Sequence, residues 1–279
     1  MSRELADFLR SRRDRLQPEQ AGIPAGSRRR APGLRRAEVA QLAGISPDYY
    51  MRLEQGRDSN PSVSVLDSLA RALQLSDVER DHLHALAHSN VPRPRHRVAS
   101  VAPEMRRLLD RLDPTPAYVT NAGSDLLAWN SMGAAIFGNL FRDGTPRYRN
   151  LLAYTVLDPA GRDLFGDWET VLRRSIASLR KAIGDNPGDS RLSDLAADLS
   201  AKSPEFAHWW AQHDVAVCER GQKEFLHPAV GRMVLDYYVL ALPDGIDQKL
   251  ITYTAPAGSP AQDALDLLAM ISERDPARR

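Results

Sequence analysis

Apolar side chains recur at helical spacing through the first third of the chain. Residues 4–16 place Leu5, Phe8, Leu9, Arg12 and Leu16 on one side of a helix. Pro18 limits that helix, and 17–33 reads as a loop rich in Gly, Pro and Arg. The pattern then predicts helices at 36–43, 47–55, 63–73 and 77–87. Ser76 with Glu79 three residues later is a capping box for the last of these. Residues 1–87 therefore read as an all-helical module.

The periodicity stops at 88–103. Three prolines, three arginines and two histidines in that stretch disfavour regular structure, so it reads as a linker. It is either a solvated hinge or a segment that follows phosphates. Residues 104–279 mix both periods. A short amphipathic helix is predicted at 103–112 and a β-hairpin at 117–120 and 126–129, around a turn containing Gly123. Helices follow at 131–140, 168–183 and 192–199. Strands rich in Val, Leu, Tyr and Ile are expected at 233–242 and 249–254. Ser259 and Pro260 start a terminal helix reaching about residue 271.

The stretch from Arg36 to Gln55 reads R-A-E-V-A-Q-L-A-G-I-S-P-D-Y-Y-M-R-L-E-Q. It meets each demand of two helices crossing over a tight turn. Val39 and Ala43 face inward, and Ala40 is small where the helices approach. Gly44 supplies the positive φ of the turn. Ser46 caps the second helix and Pro47 takes its first position, where a missing N–H costs nothing. Tyr50 and Leu53 return to the core. A helix so placed can lie in a DNA major groove. Glu54 would be repelled by phosphates, so it is expected to face back and pair with an arginine.

Charge adds to this picture. The chain carries 37 basic and 36 acidic residues, a net of +1. Residues 1–97 hold 17 arginines against 12 carboxylates, and the remainder 20 basic against 24 acidic groups. All four lysines (Lys181, Lys202, Lys223 and Lys249) lie in the second part. Arginine suits bidentate contact with phosphate or guanine, although a GC-rich coding bias favours it too. No run of 18 apolar residues suggests a membrane helix, and the N-terminus does not read as a secretory signal. A single cysteine, Cys218, cannot form an internal disulfide and fits a reducing cytoplasm.

From Leu34 to Arg57 the chain resembles the Xre/Cro/C1-type helix-turn-helix regulators, and within them the MmyB-like branch. Phe8–Glu19 and Arg28–Arg36 are typical of that branch. P-S-V-S-V-L-D-S-L-A-R-A-L-Q-L and E-R-D-H-L complete a five-helix, lambda-repressor-like domain. H-P-A-V-G from His227 and Y-T-A-P-A-G-S from Tyr253 are similar to the branch's C-terminal domain. The resemblance implies that Pro47, Asp48, Tyr49 and Arg52 face DNA. Arg52 is the foremost base reader, since arginine grips guanine O6 and N7 together. Arg36, Gln55 and Arg57 are expected to position the backbone. The run Arg28, Arg29 and Arg30 reads either as a basic arm toward the minor groove or backbone, or as a solvated run.

For the second half the resemblance implies an α/β, PAS-like domain around an apolar cavity. It implies a small apolar ligand, such as a fatty acid. Trp129, Phe137, Phe141, Trp168, Phe206, Trp209 and Trp210 are candidate lining, although each also fits an ordinary core. Two alternatives compete: a protein-interaction module, or a metal-dependent enzyme using His208, His213, Cys218, Glu219 and His227. Those five have no metal-ligand spacing, and the resemblance implies a structural turn for His227. No nucleophile elbow, P-loop or dinucleotide fingerprint appears. The expectation is a cytoplasmic regulator without cofactor, a repressor rather than an activator. One such helix reads few base pairs, so a homodimer on a palindromic operator is expected.

Overall fold

A computed structural model describes residues 3–24, 33–57, 61–87, 100–142, 145–186, 189–217, 219–242 and 247–273. The arginine run 28–30, the stretch 88–99 of the expected linker, and Cys218 lie outside the described residues. The chain divides into two compact units. The first comprises 1–94 with 180–190 and 209–217; the second comprises 95–179, 191–208 and 218–279. No helix among the described residues is long and apolar enough to cross a membrane.

Five helices build most of the first unit: α1 (Arg3–Arg15), α2 (Arg36–Ala43), α3 (Pro47–Glu54), α4 (Val63–Ala72) and α5 (Asp77–Ala87). Their inward faces carry the expected periodicity. Leu5, Phe8, Leu9, Val39, Ala40, Tyr50, Leu53, Leu66, Leu69, Leu83 and Leu86 form one buried cluster. The Ser76–Glu79 capping box is present, with the Ser76 N–H donating to Glu79 Oε2 at 2.8 Å.

One carboxylate ties three of these helices together. Glu54 is fully buried at the end of α3. Arg13 Nε of α1 donates to its Oε1 at 2.6 Å, and Arg36 Nε of α2 donates to its Oε2 at 2.6 Å. Arg13 Nη1 also donates to the Leu34 carbonyl at 2.9 Å. Burial pushes the Glu54 carboxyl up, but the hydrogen bonds from Arg13 and Arg36 outweigh it and hold the group below its ordinary value.

Residues 180–190 and 209–217 complete this unit. Arg12 Nε lies 3.0 Å from Glu79, and Arg12 Nη2 donates to the His213 carbonyl at 2.5 Å. The Arg180 guanidinium stacks 3.8 Å from the Trp210 ring and meets His213 Nδ1 at 3.1 Å. His82 packs edge-on against Phe8, ring centroids 5.2 Å apart. Gly184 leaves room for that imidazole, since a Cβ there would stand 2.5 Å from it. Burial, with the nearby Arg180 charge, pushes His82 down to about 3 and His213 down to about 4.

The second unit opens with α6 (Pro103–Leu112), β1 (Ala117–Thr120), β2 (Leu126–Trp129) and α7 (Ser131–Ala135). It continues through the two-residue strands β3 (Phe141–Arg142) and β4 (Thr145–Pro146), then α8 (Leu151–Leu157) and α9 (Pro159–Asp163). Next come α10 (Trp168–Asp185), α11 (Ser190–Lys202) and α12 (Pro204–Trp210), of which residues 180–185, Ser190, Trp209 and Trp210 belong to the first unit. β5 (Arg220–His227), β6 (Gly231–Ala241), β7 (Lys249–Thr254) and α13 (Pro260–Glu273) close the chain. An antiparallel sheet of five strands runs β2-β1-β7-β6-β5. One face packs on α6 through Leu109, Ala117, Val119 and Leu250. The other carries Tyr118, Tyr237, Ile251 and Tyr253 into the main core.

Buried Asn130 locks the start of this unit. Its Oδ1 accepts from the Ala117 and Gly133 amides at 3.0 and 2.7 Å, and its Nδ2 donates to the Leu109 and Thr115 carbonyls at 3.2 and 2.8 Å. The single helix expected over 131–140 breaks after α7. Gly138 adopts φ 54° and a short 3-10 turn follows. Strand β5 escaped the pattern because it is an edge strand with only Phe225 and His227 buried.

Replacing Glu54 with Ala removes the buried acceptor that Arg13 and Arg36 share and is expected to cost about 3 kcal/mol, read by urea unfolding. The same assay run against pH tests the imidazoles. Folded His82 and His213 refuse protons that the unfolded chain accepts below its ordinary value of 6.5. Stability therefore falls as pH drops from 6.5 toward 4. A flat profile across that window would contradict their neutral state.

Candidate functional site

The turn between α2 and α3 is built from three residues. Gly44 adopts φ 67°, ψ 31°, and the amides at the turn return to the Ala40 and Gln41 carbonyls. The Ser46 hydroxyl accepts from the Tyr49 amide at 3.1 Å, and Pro47 opens α3. At the start of α2, the Arg35 amide donates to Glu38 Oε2 at 2.7 Å.

This turn presents one side of α3 to solvent. Pro47, Asp48 and Arg52 are exposed, and Tyr49 is half-buried. The Arg52 guanidinium lies 5.5 Å from the Tyr49 ring, which steadies a long side chain at the surface. Tyr50, Leu53 and Glu54 on the opposite side are buried. Gln55 and Arg57 are exposed just past the helix, and the Arg57 amide donates to the Arg52 carbonyl at 2.9 Å. Arg36 is half-exposed, its Nε committed to Glu54. The structure thus gathers Pro47, Asp48, Tyr49 and Arg52 on one short helix, with Arg36 anchored beside it. Arg28–Arg30 fall outside the described residues.

A second feature lies in the second unit: a cavity of about 400 Å³, within the range of about 300–1,000 Å³ usual for small-molecule sites. Its floor is the sheet, through Tyr118 and Thr120 of β1, Lys223 of β5, Tyr237 and Val239 of β6, and Ile251 and Tyr253 of β7. Its cover is α10, which contributes Thr170, Val171, Arg174, Ser175 and Ser178 at helical spacing, together with Leu151 and Thr155 of α8. Phe137 and Phe165 also line it. The Tyr118 and Tyr253 hydroxyls lie 3.1 Å apart. Burial, reinforced by Tyr253, holds the Tyr118 phenol well above its ordinary value, so it stays neutral.

Of the seven aromatic residues expected to line such a cavity, Phe137 does. Trp129 instead stacks near Phe141, ring centroids 5.1 Å apart, in the main core. Trp168 donates to the Thr155 carbonyl at 2.8 Å and lies under Arg162. Phe206 is fully buried without touching the cavity, and Trp209 and Trp210 belong to the first unit. Aromatic content alone misled, because most large rings serve as core. The residues missed (Tyr118, Phe165, Lys223, Tyr237 and Tyr253) sit mainly on alternating strand positions, so two-residue periodicity was the usable signal.

The residues weighed for metal chemistry have other partners. His227 donates through Nε2 to the Ala135 carbonyl at 3.0 Å, and its Nδ1 accepts from the Ala229 amide at 3.2 Å. It locks the β5–β6 turn, and His213 faces Arg180. Among the described residues, no three His, Cys, Asp or Glu side chains converge on one metal position.

A helix-turn-helix domain family matches residues 4–83, and the MmyB-like transcription regulator ligand binding domain matches residues 101–268. The second match covers more than half of the chain. The chain belongs to the MmyB-like transcription regulators. No curated protein matches it. The helix-turn-helix half of this MmyB-like regulator binds DNA, and its α/β half binds a small-molecule ligand. Both halves are those of a transcription regulator.

In the MmyB-like regulator, Gly44→Ala meets no steric neighbour, so its cost is backbone strain alone. About 1–2 kcal/mol of stability is expected to be lost, and thermal unfolding of the purified chain checks it.

Proposed function

We propose that this MmyB-like regulator is a repressor that reads its operator with α3 and responds to a small apolar ligand, such as a fatty acid, in the second unit. The observation that carries this reading is one chain that joins an exposed, rigidly capped helix to an aromatic-lined cavity. Arg52 reads a guanine, Asp48 accepts from a cytosine amino group, and Tyr49 meets a thymine methyl or a phosphate. Pro47 lies at the groove end of the helix. Arg36, Gln55 and Arg57 hold the backbone, and Arg28–Arg30 follow a phosphate run or the minor groove.

Two copies on a palindromic site supply the specificity that a single short helix lacks, with half-sites about one helical turn, or about 34–36 Å, apart. Ligand occupancy changes operator affinity by favouring one of two conformations, and the shift equals the ligand's differential affinity for them. The regulator acts in the cytoplasm, where DNA and metabolites meet.

Footprinting on the DNA flanking its own gene, with and without candidate fatty acids, tests the whole reading. A protected, roughly palindromic site that weakens with ligand is the expected result. No protection even at low salt would overturn it. Arg52→Ala is expected to cost about 1–3 kcal/mol and to relax preference at one base position. Uniform weakening across all sequences would instead make Arg52 a phosphate contact.

A further inference from the structure

One helix contributes residues to both units. α10 runs from Trp168 to Asp185 as 18 unbroken residues, about 27 Å of helix. Residues 168–183 contain neither glycine nor proline, so no such residue kinks that stretch. Those up to 179 belong to the second unit and those from 180 to the first.

In the second unit α10 covers the cavity with Thr170, Val171, Arg174, Ser175 and Ser178. Three of these five are short hydroxyl side chains, which fill little of the space above the sheet. The Ser175 hydroxyl donates back to the Val171 carbonyl at 2.8 Å and so needs no partner in the cavity. A molecule that enters makes its new contacts with this face of α10 and with the sheet. Those contacts favour whichever position of the helix fits the molecule best.

In the first unit the end of α10 is seated against α1 and α5. A Cβ on Gly184 would stand 2.5 Å from the His82 ring of α5, so helix backbone and imidazole touch. His82 in turn packs edge-on against Phe8 of α1. Arg180 meets His213 Nδ1 at 3.1 Å, and the His213 carbonyl accepts from Arg12 of α1. Ile183, Phe8, His82 and Leu86 are among the residues around a gap of about 10 Å³, the space of a single water. Packing this close passes a displacement on and does not absorb it. Arg13, beside Arg12, holds Glu54 at the end of α3.

We infer that α10 transmits cavity occupancy to the helix-turn-helix, with His82 as the positioning residue that takes up its movement at Gly184. The inference rests on the reading that an apolar ligand in this cavity alters operator affinity.

Hydrogen exchange of the purified full chain, with and without decanoate, tests it. Decanoate is expected to change exchange in 170–178, in 180–185 and in α1 and α5 together. In α1 and α5 the change should be about fivefold or more in rate, the lower end of ordinary coupling between sites. His82→Ala should keep the change in 170–178 and lose the one in α1. Because 180–185 is read in the same samples, the unmodified chain decides the route even if the variant fails to fold. A change in 170–178 that stops short of α1 and α5 would overturn the inference while leaving the ligand reading intact. A change in α1 and α5 that leaves 180–185 untouched, or that survives in folded His82→Ala, would overturn it as well. If decanoate alters exchange nowhere, the apolar-ligand reading falls and the inference with it.

Discussion

The helix-turn-helix unit depends on a charge that water does not reach. Glu54 ends α3 inside the protein, where an isolated carboxylate would be costly. Arg13 from the first helix and Arg36 from the second meet its two oxygens at equal distance. The pairing fixes three helices at one point. It also turns the side of α3 that bears Arg52 outward, because Tyr50, Leu53 and Glu54 hold the opposite side in the core. A buried ion pair need not add net stability over an apolar contact, yet breaking one is expensive. Its value here is geometric. It sets the rotation of a helix that keeps Pro47, Asp48 and Arg52 exposed.

The second unit solves a different problem. A sheet packed on both faces excludes water, but a ligand-binding domain must leave space above one of them. α6 closes one face with Leu109 against Ala117, Val119 and Leu250. On the other, α10 crosses with small and polar residues such as Ser175 and Ser178, and a cavity remains. Tyr118 and Tyr253 keep their hydroxyls satisfied by bonding to each other. Lys223 completes that polar chain at the edge strand and brings a charge beside three aromatic rings.

Much of this was legible in the chain of letters. The five N-terminal helices were marked by apolar spacing, by Gly44 and Ser46 at the turn, and by the Ser76–Glu79 cap. These signals are local, and local steric rules decide them. The inward turn of Glu54 was also readable, because a carboxylate facing phosphates would be repelled. The cavity lining was not readable. Trp129, Phe141 and Phe206 have the same apolar character as Phe137, and nothing along the chain says which ring meets empty space. Strand β5 was hidden for a related reason. An edge strand half in water carries no continuous apolar run.

The sequence by itself therefore determined the helix-turn-helix and its exposed residues, since each follows from spacings within some twenty positions, and its resemblance along the chain pointed to the family. Tertiary structure alone decided which side chains share the cavity. Lys223, Phe165, Tyr237 and Tyr253 come together only when distant strands pair in register and a hydrophobic face closes around them. It also decided that 180–190 and 209–217 pack with the N-terminal helices. Long-range burial, which no local period encodes, is the physical reason for both.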